Sequence, residues 1–320
     1  MTLIGSIDLG GTKIYAAVLT PEGEIRGEAR LPTAPRRPPE AIADSLVQAI
    51  EQAATAANTR PSALPAVGLS APGPVDTAAG VIVEAPNLPT LNGFPLVRRL
   101  SDRLGASVLI ENDANCAAYA EYRVGAGGGG RGLVYITIST GIGGGIVLDG
   151  RLYRGVNGVA GEVGHIPLQP RGGPRCGCGS RGCLEALASG TAIARRARAA
   201  LARGGAPGLR ALRPPGQPVD AEMVARAARA GDPDCRRIYR GAGWWLGQGF
   251  VTVLHLFNPD RIVVGGGVSL EGDLVLGPAR AVVAERAFAS AERACTITTA
   301  ALGTASPAIG AALLAFEART

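Results

Sequence analysis

The alternation of apolar and polar positions at the start of the chain predicts a small meander. Residues 3 to 31 read as strand, glycine turn, strand, tight turn at Pro21-Glu22-Gly23, and strand. Residues 132 to 154 repeat that order, with Asp149-Gly150 as a hairpin turn. Each meander leads into helical and strand patterns. Pro39 to Ala57 reads as a helix, and Ala66 to Ser70 and Ser107 to Ile110 read as strands. Later, Asp220 to Ala230 and Asp232 to Phe257 read as helices before a strand over Arg261 to Val264. Asp232-Pro233 supplies an N-cap and a proline at the first helical position, where an N–H has no intrahelical partner anyway. Two such units predict an α/β chain of two similar domains around a cleft. We place the N-terminal α/β domain at 1–117 plus 305–320 and the C-terminal one at 118–304. Residues 203 to 218, rich in Gly and Pro, read as a surface insertion.

With 320 residues and 47% hydrophobic content, the chain is long enough for two cores. The most apolar run, Trp244 to Phe257, is broken by Gly247, Gln248, Gly249 and His255 and is shorter than a bilayer span, so we expect a buried helix and no membrane segment. The strand-like start lacks a basic leader, which points to the cytoplasm and to reduced thiols. A formal charge of +6 is set against 26 acidic residues and has no aromatic-interleaved basic face, which argues against nucleic acid. The nearest thing to a basic patch, Arg195, Arg196, Arg198 and Arg203 on one helix, reads as a solvated face. Lys13 is the only lysine, and it stands in a Gly-rich turn.

The densest chemistry lies in residues 161 to 185. His165, Cys176, Cys178 and Cys183 form a closed set of four nitrogen and sulfur donors for a structural zinc ion, with no position left for a substrate. Disulfides fit poorly: the cluster holds an odd number of cysteines, and Cys176 and Cys178 are too close in sequence to bridge easily. Cys116, Cys235 and Cys295 stand apart and read as packed free thiols.

Two glycine turns suit phosphate. Asp8, Gly10, Gly11, Thr12 and Lys13 join two strands, so this is neither a Walker loop nor a dinucleotide turn. Its backbone N–H groups can still approach an anion, while Asp8 can hold Mg²⁺ directly or through water. Thr140, Gly141 and Gly143 occupy the equivalent turn of the second unit. Gly125 to Gly130 satisfies the dinucleotide pattern formally but follows a helix and precedes a strand, so it reads as a loop. Asp113, in Glu111-Asn112-Asp113-Ala114-Asn115, sits where a strand ends and a helix begins. There it is either an N-cap or a base that takes a proton from a substrate hydroxyl, and the context favours the base.

Across nearly its whole length the chain resembles sugar kinases of the ROK family (repressors, open reading frames, kinases). The first turn, Ala71-Pro72-Gly73-Pro74, Pro86-Asn87-Leu88, Asn112-Asp113, the second turn, and Glu162 with His165 and the cysteines fall in family order. The resemblance implies an actin-like ATPase (ribonuclease H-like) fold, with Pro307 to Ala318 as a helix returning to the N-terminal domain. It further implies Asp113 as the base that activates a sugar hydroxyl toward the γ-phosphate of ATP, with Mg²⁺ at the phosphates. Gly73, Asn87, Asn112, Glu162, His165 and Glu185 would bind the other hydroxyls, and Gly265, Gly266 and Gly267 would approach the adenosine. His165 would bind zinc through one ring nitrogen and reach the sugar through the other. Ala85 to Pro89, Leu152 to Gly155 and Leu187 to Ala194 look most like glucose-phosphorylating members. Phosphorylation of glucose at O6 is therefore the expected activity, with N-acetylglucosamine or N-acetylmannosamine kinase the nearest rival. A sugar-responsive repressor and a non-catalytic sugar-binding protein are the readings from other classes. Family members are commonly dimers or tetramers, so a homo-oligomer is expected.

Overall fold

A computed structural model describes residues 2–319 of the chain. In chain order its regular elements are β1 (Ile4–Leu9), β2 (Lys13–Leu19), β3 (Ile25–Pro32), α1 (Pro39–Ala56), β4 (Ala66–Ala71), β5 (Val75–Asp76), β6 (Val81–Ile82), α2 (Leu96–Leu104), β7 (Ser107–Asn112) and α3 (Asp113–Val124). There follow β8 (Gly132–Ile138), β9 (Ile142–Leu148), β10 (Arg151–Leu152), α4 (Leu184–Ala188), α5 (Gly190–Ala202), α6 (Pro207–Leu212), α7 (Ala221–Arg229) and α8 (Pro233–Phe257). The chain ends with β11 (Arg261–Gly265), α9 (Asp273–Arg286), α10 (Ala289–Ala294), β12 (Thr296–Thr299) and α11 (Ser306–Glu317).

Both expected meanders are present, and each belongs to a five-stranded sheet. The first runs β3-β2-β1-β4-β7 and the second β10-β9-β8-β11-β12, the same order built twice. In the first, β2 pairs antiparallel with β1 and β3, while β4 lies parallel between β1 and β7. In the second, β11 lies parallel between β8 and β12. Parallel neighbours need a crossover, which is why helices follow β4 and β11 while tight turns join the meander strands.

The chain forms two compact units, one of residues up to Gly129 with Gly145–Gly161 and from Ala301 on, the other of Gly130–Gly144 with Glu162–Ala300. The boundary expected after residue 117 falls inside α3, which stays whole in the first unit.

In the first unit, α1 presents Ile42, Leu46, Ala49, Ile50 and Ala53 at helical spacing to Ile7, Leu9, Ile14 and Val18 of the sheet. The other face of the sheet takes α11. A side chain at Gly68 of β4 would stand 1.9 Å from the carbonyl oxygen of Ala311, so only glycine lets α11 lie this close. A buried carboxylate fixes the start of α11: Glu121 of α3 accepts the N–H groups of Ala126, Ala301 and Leu302 at 2.9–3.0 Å and the hydroxyl of Ser306 at 3.1 Å.

In the second unit α8 is the central helix. Asp232 caps it by accepting the Cys235 N–H at 2.9 Å, with Pro233 next, as the sequence predicts. The same carboxylate accepts N–H groups of Gly208 and Leu209 at the start of α6, so the segment read as a surface insertion contains a helix tied to α8. Two glycines of α8, one just before the apolar run and one within it, serve packing. Added side chains at Gly243 and Gly247 would stand 2.3 and 2.7 Å from carbonyl oxygens of α9. Among the described residues no helix is long and apolar enough to cross a membrane.

Candidate active site

The β1–β2 turn is closed by a hydrogen bond from the Gly10 N–H to the Lys13 carbonyl at 2.9 Å, and Thr33 donates its hydroxyl to the Gly10 carbonyl at 2.7 Å. Thr12 and Lys13 project as exposed residues. Asn87 packs over the turn, since a side chain on Gly11 would meet its Cβ at 3.2 Å. Asp8 is paired in register with Ser70, whose hydroxyl donates to the carboxylate at 2.7 Å. Burial holds the Asp8 pKa above its ordinary value, although the Ser70 hydrogen bond and the Lys13 charge pull the other way. A carboxylate whose ionised form is under-solvated gains from a cation, which suits it to Mg²⁺.

β7 runs on through Asn112, and α3 starts at Asp113. The capping role weighed for Asp113 belongs to Asn112, whose side-chain oxygen accepts the N–H groups of Ala114 and Asn115 at 2.9 and 3.1 Å. The Asn112 amide also donates to the Gly73 carbonyl at 3.1 Å, which leaves it one N–H for any ligand. Gly73 is needed there: its φ is 79°, and a Cβ would lie 2.1 Å from the Glu84 carbonyl oxygen. Asp113 is half-buried at the first helical position and accepts the Ala114 N–H at 2.7 Å.

Sequence reading gave Glu111 and Arg154 no role, and the structure gives them one. Glu111 is buried, and Arg154 donates from Nε to its carboxylate at 2.6 Å. The same carboxylate accepts the N–H of Asn112 at 2.9 Å and the side-chain amide of Asn115 at 3.0 Å. It therefore holds the backbone just before Asp113 and a side chain of the first turn just after it.

On the second unit the β8–β9 turn meets the start of α5. The Gly190 N–H donates to the Ser139 carbonyl at 2.8 Å, and the Thr191 hydroxyl donates to the Thr140 carbonyl at 2.8 Å. Beside them opens a cavity of about 730 Å³ whose walls include Thr140, Thr191, Tyr239, Gly267 and Glu271. That volume suits a nucleotide. Gly267 alone of its triplet opens on the cavity. Gly265 makes room for the Tyr135 hydroxyl, and Gly266, at φ 83°, turns against the Ile138 backbone. Burial raises the pKa of Glu271, offset in part by its ion pair with Arg229. Thr191, Tyr239 and Glu271 carry no local sequence signal, since separate helices bring them together.

The cysteine cluster forms as expected. The donor atoms of His165, Cys176, Cys178 and Cys183 all lie within 4.8 Å of one another. The Cys178 and Cys183 sulfurs are 3.7 Å apart, and the Cys176 sulfur is 3.6 Å from Nδ1 of His165. A tetrahedral zinc ion with ligand distances of about 2.3 Å to sulfur and 2.0–2.1 Å to nitrogen sets S···S near ~3.8 Å and S···N near ~3.5 Å. The donor set and spacing fit zinc. Nε2 of His165 faces Glu162, 3.8 Å from its carboxylate. Gly164 lets this turn lie against Ile142, whose carbonyl oxygen would be 2.0 Å from an added Cβ. Glu185 joins the cluster to the second turn: one oxygen accepts the Ile142 N–H at 3.0 Å, and the other lies 3.6 Å from the Cys176 sulfur.

The sequence pattern of the ROK family matches residues 4–318. The chain belongs to the ROK family. Its fold is accordingly the actin-like ATPase fold. Among curated relatives of this ROK chain, glucokinase from Streptomyces coelicolor is 41% identical over 285 residues, 88% of this chain and 86% of that protein. N-acetylmannosamine kinase from Citrobacter koseri is 36% identical over 83% of each. Among solved structures, the ROK hexokinase from Thermus thermophilus superposes with a TM-score of 0.84 at 38% identity, covering 99% of both chains. The ROK family glucokinase from Streptomyces griseus, in complex with glucose and AMPPNP, gives 0.82 at 38% identity, covering 98% of this chain and 99% of that one.

Proposed function

We propose that this ROK protein is a glucokinase that transfers the γ-phosphoryl group of ATP to O6 of glucose. The observation that carries the mechanism is Asp113: Asn112 meets the capping need of α3, so the carboxylate beside it is not required for that purpose. The choice of glucose follows the glucokinase relatives.

In this reading Asp113 takes the proton of the attacking hydroxyl, and the oxygen displaces ADP from the γ-phosphorus. Gly73, Asn87 and Asn112 would hold other sugar oxygens, as would Glu162, His165 and Glu185. Gly10, Gly11, Thr12 and Lys13 would meet the phosphates, as would Thr140, Gly141 and Gly143, with Gly267 and its cavity taking the nucleoside. Asp8 would hold Mg²⁺, which neutralises charge on the transferring phosphate. His165, Cys176, Cys178 and Cys183 would hold a structural zinc ion that orients the His165 ring and the Glu162 turn. Cytoplasmic location and a homodimeric or homotetrameric state complete the reading.

N-acetylmannosamine phosphorylation is the second reading, favoured by the Citrobacter koseri relative. A coupled assay over glucose, N-acetylmannosamine, N-acetylglucosamine, mannose and fructose, with ATP or polyphosphate as donor, decides. We expect the highest kcat/KM for glucose with ATP. A higher value for an N-acetylated sugar would replace glucose with that sugar.

A further inference from the structure

The arginine-rich helix α5 does not simply face water. Arg196 on α5 and Arg203, the residue that caps its C-terminal end, face Arg237, Gly241 and Trp245, which follow one another at four-residue spacing on α8. With Ile238 these residues line a cavity of about 350 Å³, sharing no lining residue with the nucleotide-sized one.

The guanidinium groups differ in how far they are satisfied. Arg237 is paired with Asp234 at 2.5 Å. Arg196 is half-buried, and among the described residues it has neither a carboxylate partner nor a carbonyl to donate to. Burial and the neighbouring Arg195 charge lower its pKa, as befits a cation lacking its counter-ion. Arg203 is exposed and likewise has no acidic partner among the described residues. The neighbouring arginine-lined cavity shows the contrast. There Arg198, Arg210 and Arg213 each donate to a backbone carbonyl, of Val219, Leu201 and Gln217 respectively.

The remaining walls suit an organic group. Gly241 leaves the floor open, since even a Cβ there would sit 3.8 Å from the Arg196 guanidinium. Trp245 is half-buried and held edge-to-face against Trp244 at a centroid distance of 4.6 Å.

We propose that this cavity binds a small phosphate monoester, its phosphate held by Arg196 and Arg203 and its organic part resting on Ile238 and Trp245. Two unpaired guanidinium groups balance a dianion, and the oxygens of a phosphate can accept from two planar forks at once, whereas a lone carboxylate is filled by one. The volume lies at the low end for ligand pockets and fits a three-carbon ester rather than a nucleotide.

Equilibrium dialysis of the full chain against radiolabelled glycerol 3-phosphate, at fixed ionic strength in chloride, tests the site. Neither hexose nor nucleotide is present, so the outcome is independent of the proposed glucokinase activity. We expect one saturable site per chain, a change in tryptophan fluorescence that follows its occupancy, and at least tenfold weaker binding in Arg196→Gln with unchanged circular dichroism. Arg203→Gln, an exposed change, serves equally if Arg196→Gln misfolds. Arg210→Gln should bind as the parent does. The proposal is overturned by absence of saturable binding, by equal binding in the Arg196 and Arg203 variants, or by equally tight binding of succinate. Inorganic phosphate binding as tightly as the ester would remove the role given to Ile238 and Trp245.

Discussion

Arg154 donates from Nε to the buried carboxylate of Glu111 at 2.6 Å, two residues before the aspartate to which we assign proton transfer. Because Glu111 also holds the Asn112 backbone and the Asn115 amide, the ion pair is a support for the first turn of α3. Arg154→Ala leaves that carboxylate buried without its cation. With the arginine partly exposed, we expect a loss of about 1–3 kcal/mol in urea unfolding, with a smaller loss for Arg154→Lys. A change below the precision of the measurement would show that the remaining hydrogen bonds suffice.

Asp113→Ala should lower kcat by ~10²–10⁴ while glucose affinity by calorimetry changes little. Asp113→Asn keeps the side-chain shape and should fail equally, because an amide cannot accept the proton. Near-parental turnover in either variant would transfer the base role to another group.

Elemental analysis should find about one zinc per chain. Chelation or Cys178→Ala should loosen the turn carrying Glu162 and His165 and raise the KM for sugar, while nucleotide binding persists. A folded Cys178→Ala protein with undiminished zinc would exclude Cys178 from the ligand set.

Asp232 gives a pH signature. Burial alone would raise its pKa, but the N–H groups of Cys235, Gly208 and Leu209 outweigh that and hold it below the ordinary carboxylate value of 3.8. A depressed folded-state pKa contributes stability present above the unfolded value and lost as pH falls through the folded one. Asp232→Ala should therefore cost about 1–2 kcal/mol at pH 7, the cap and its charge together. The gap from the parent should narrow below pH 3.8. A gap independent of pH would mean that the hydrogen bonds, not the charge, stabilise both helix starts.

What the sequence made legible was local. The two meanders, the cap at Asp232-Pro233, the cysteine spacing and the helix at the end of the chain are written in runs of neighbouring residues, and all appear at or within a few residues of the expected places. The nucleotide-sized cavity was not legible beyond Thr140 and Gly267, because Thr191, Tyr239 and Glu271 come from different elements. Nor was the division of work between Asn112 and Asp113, since both residue types favour caps and only backbone angles decide which one caps. The arginines of α5 looked solvated because spacing shows that residues share a face, not what lies opposite. Here α8 lies opposite, and Arg196 is half-buried.

The grip of Glu121 on Ser306 joins residues 185 positions apart. At ribosomal speeds of about 5–20 residues per second, the first sheet waits roughly 10–40 s for α11 to be made. During that interval one side of β1 and β4 is bare, and the Glu121 carboxylate lacks three of the four donors that later surround it. A lesion in α11 should therefore harm the yield of folded protein before it harms turnover.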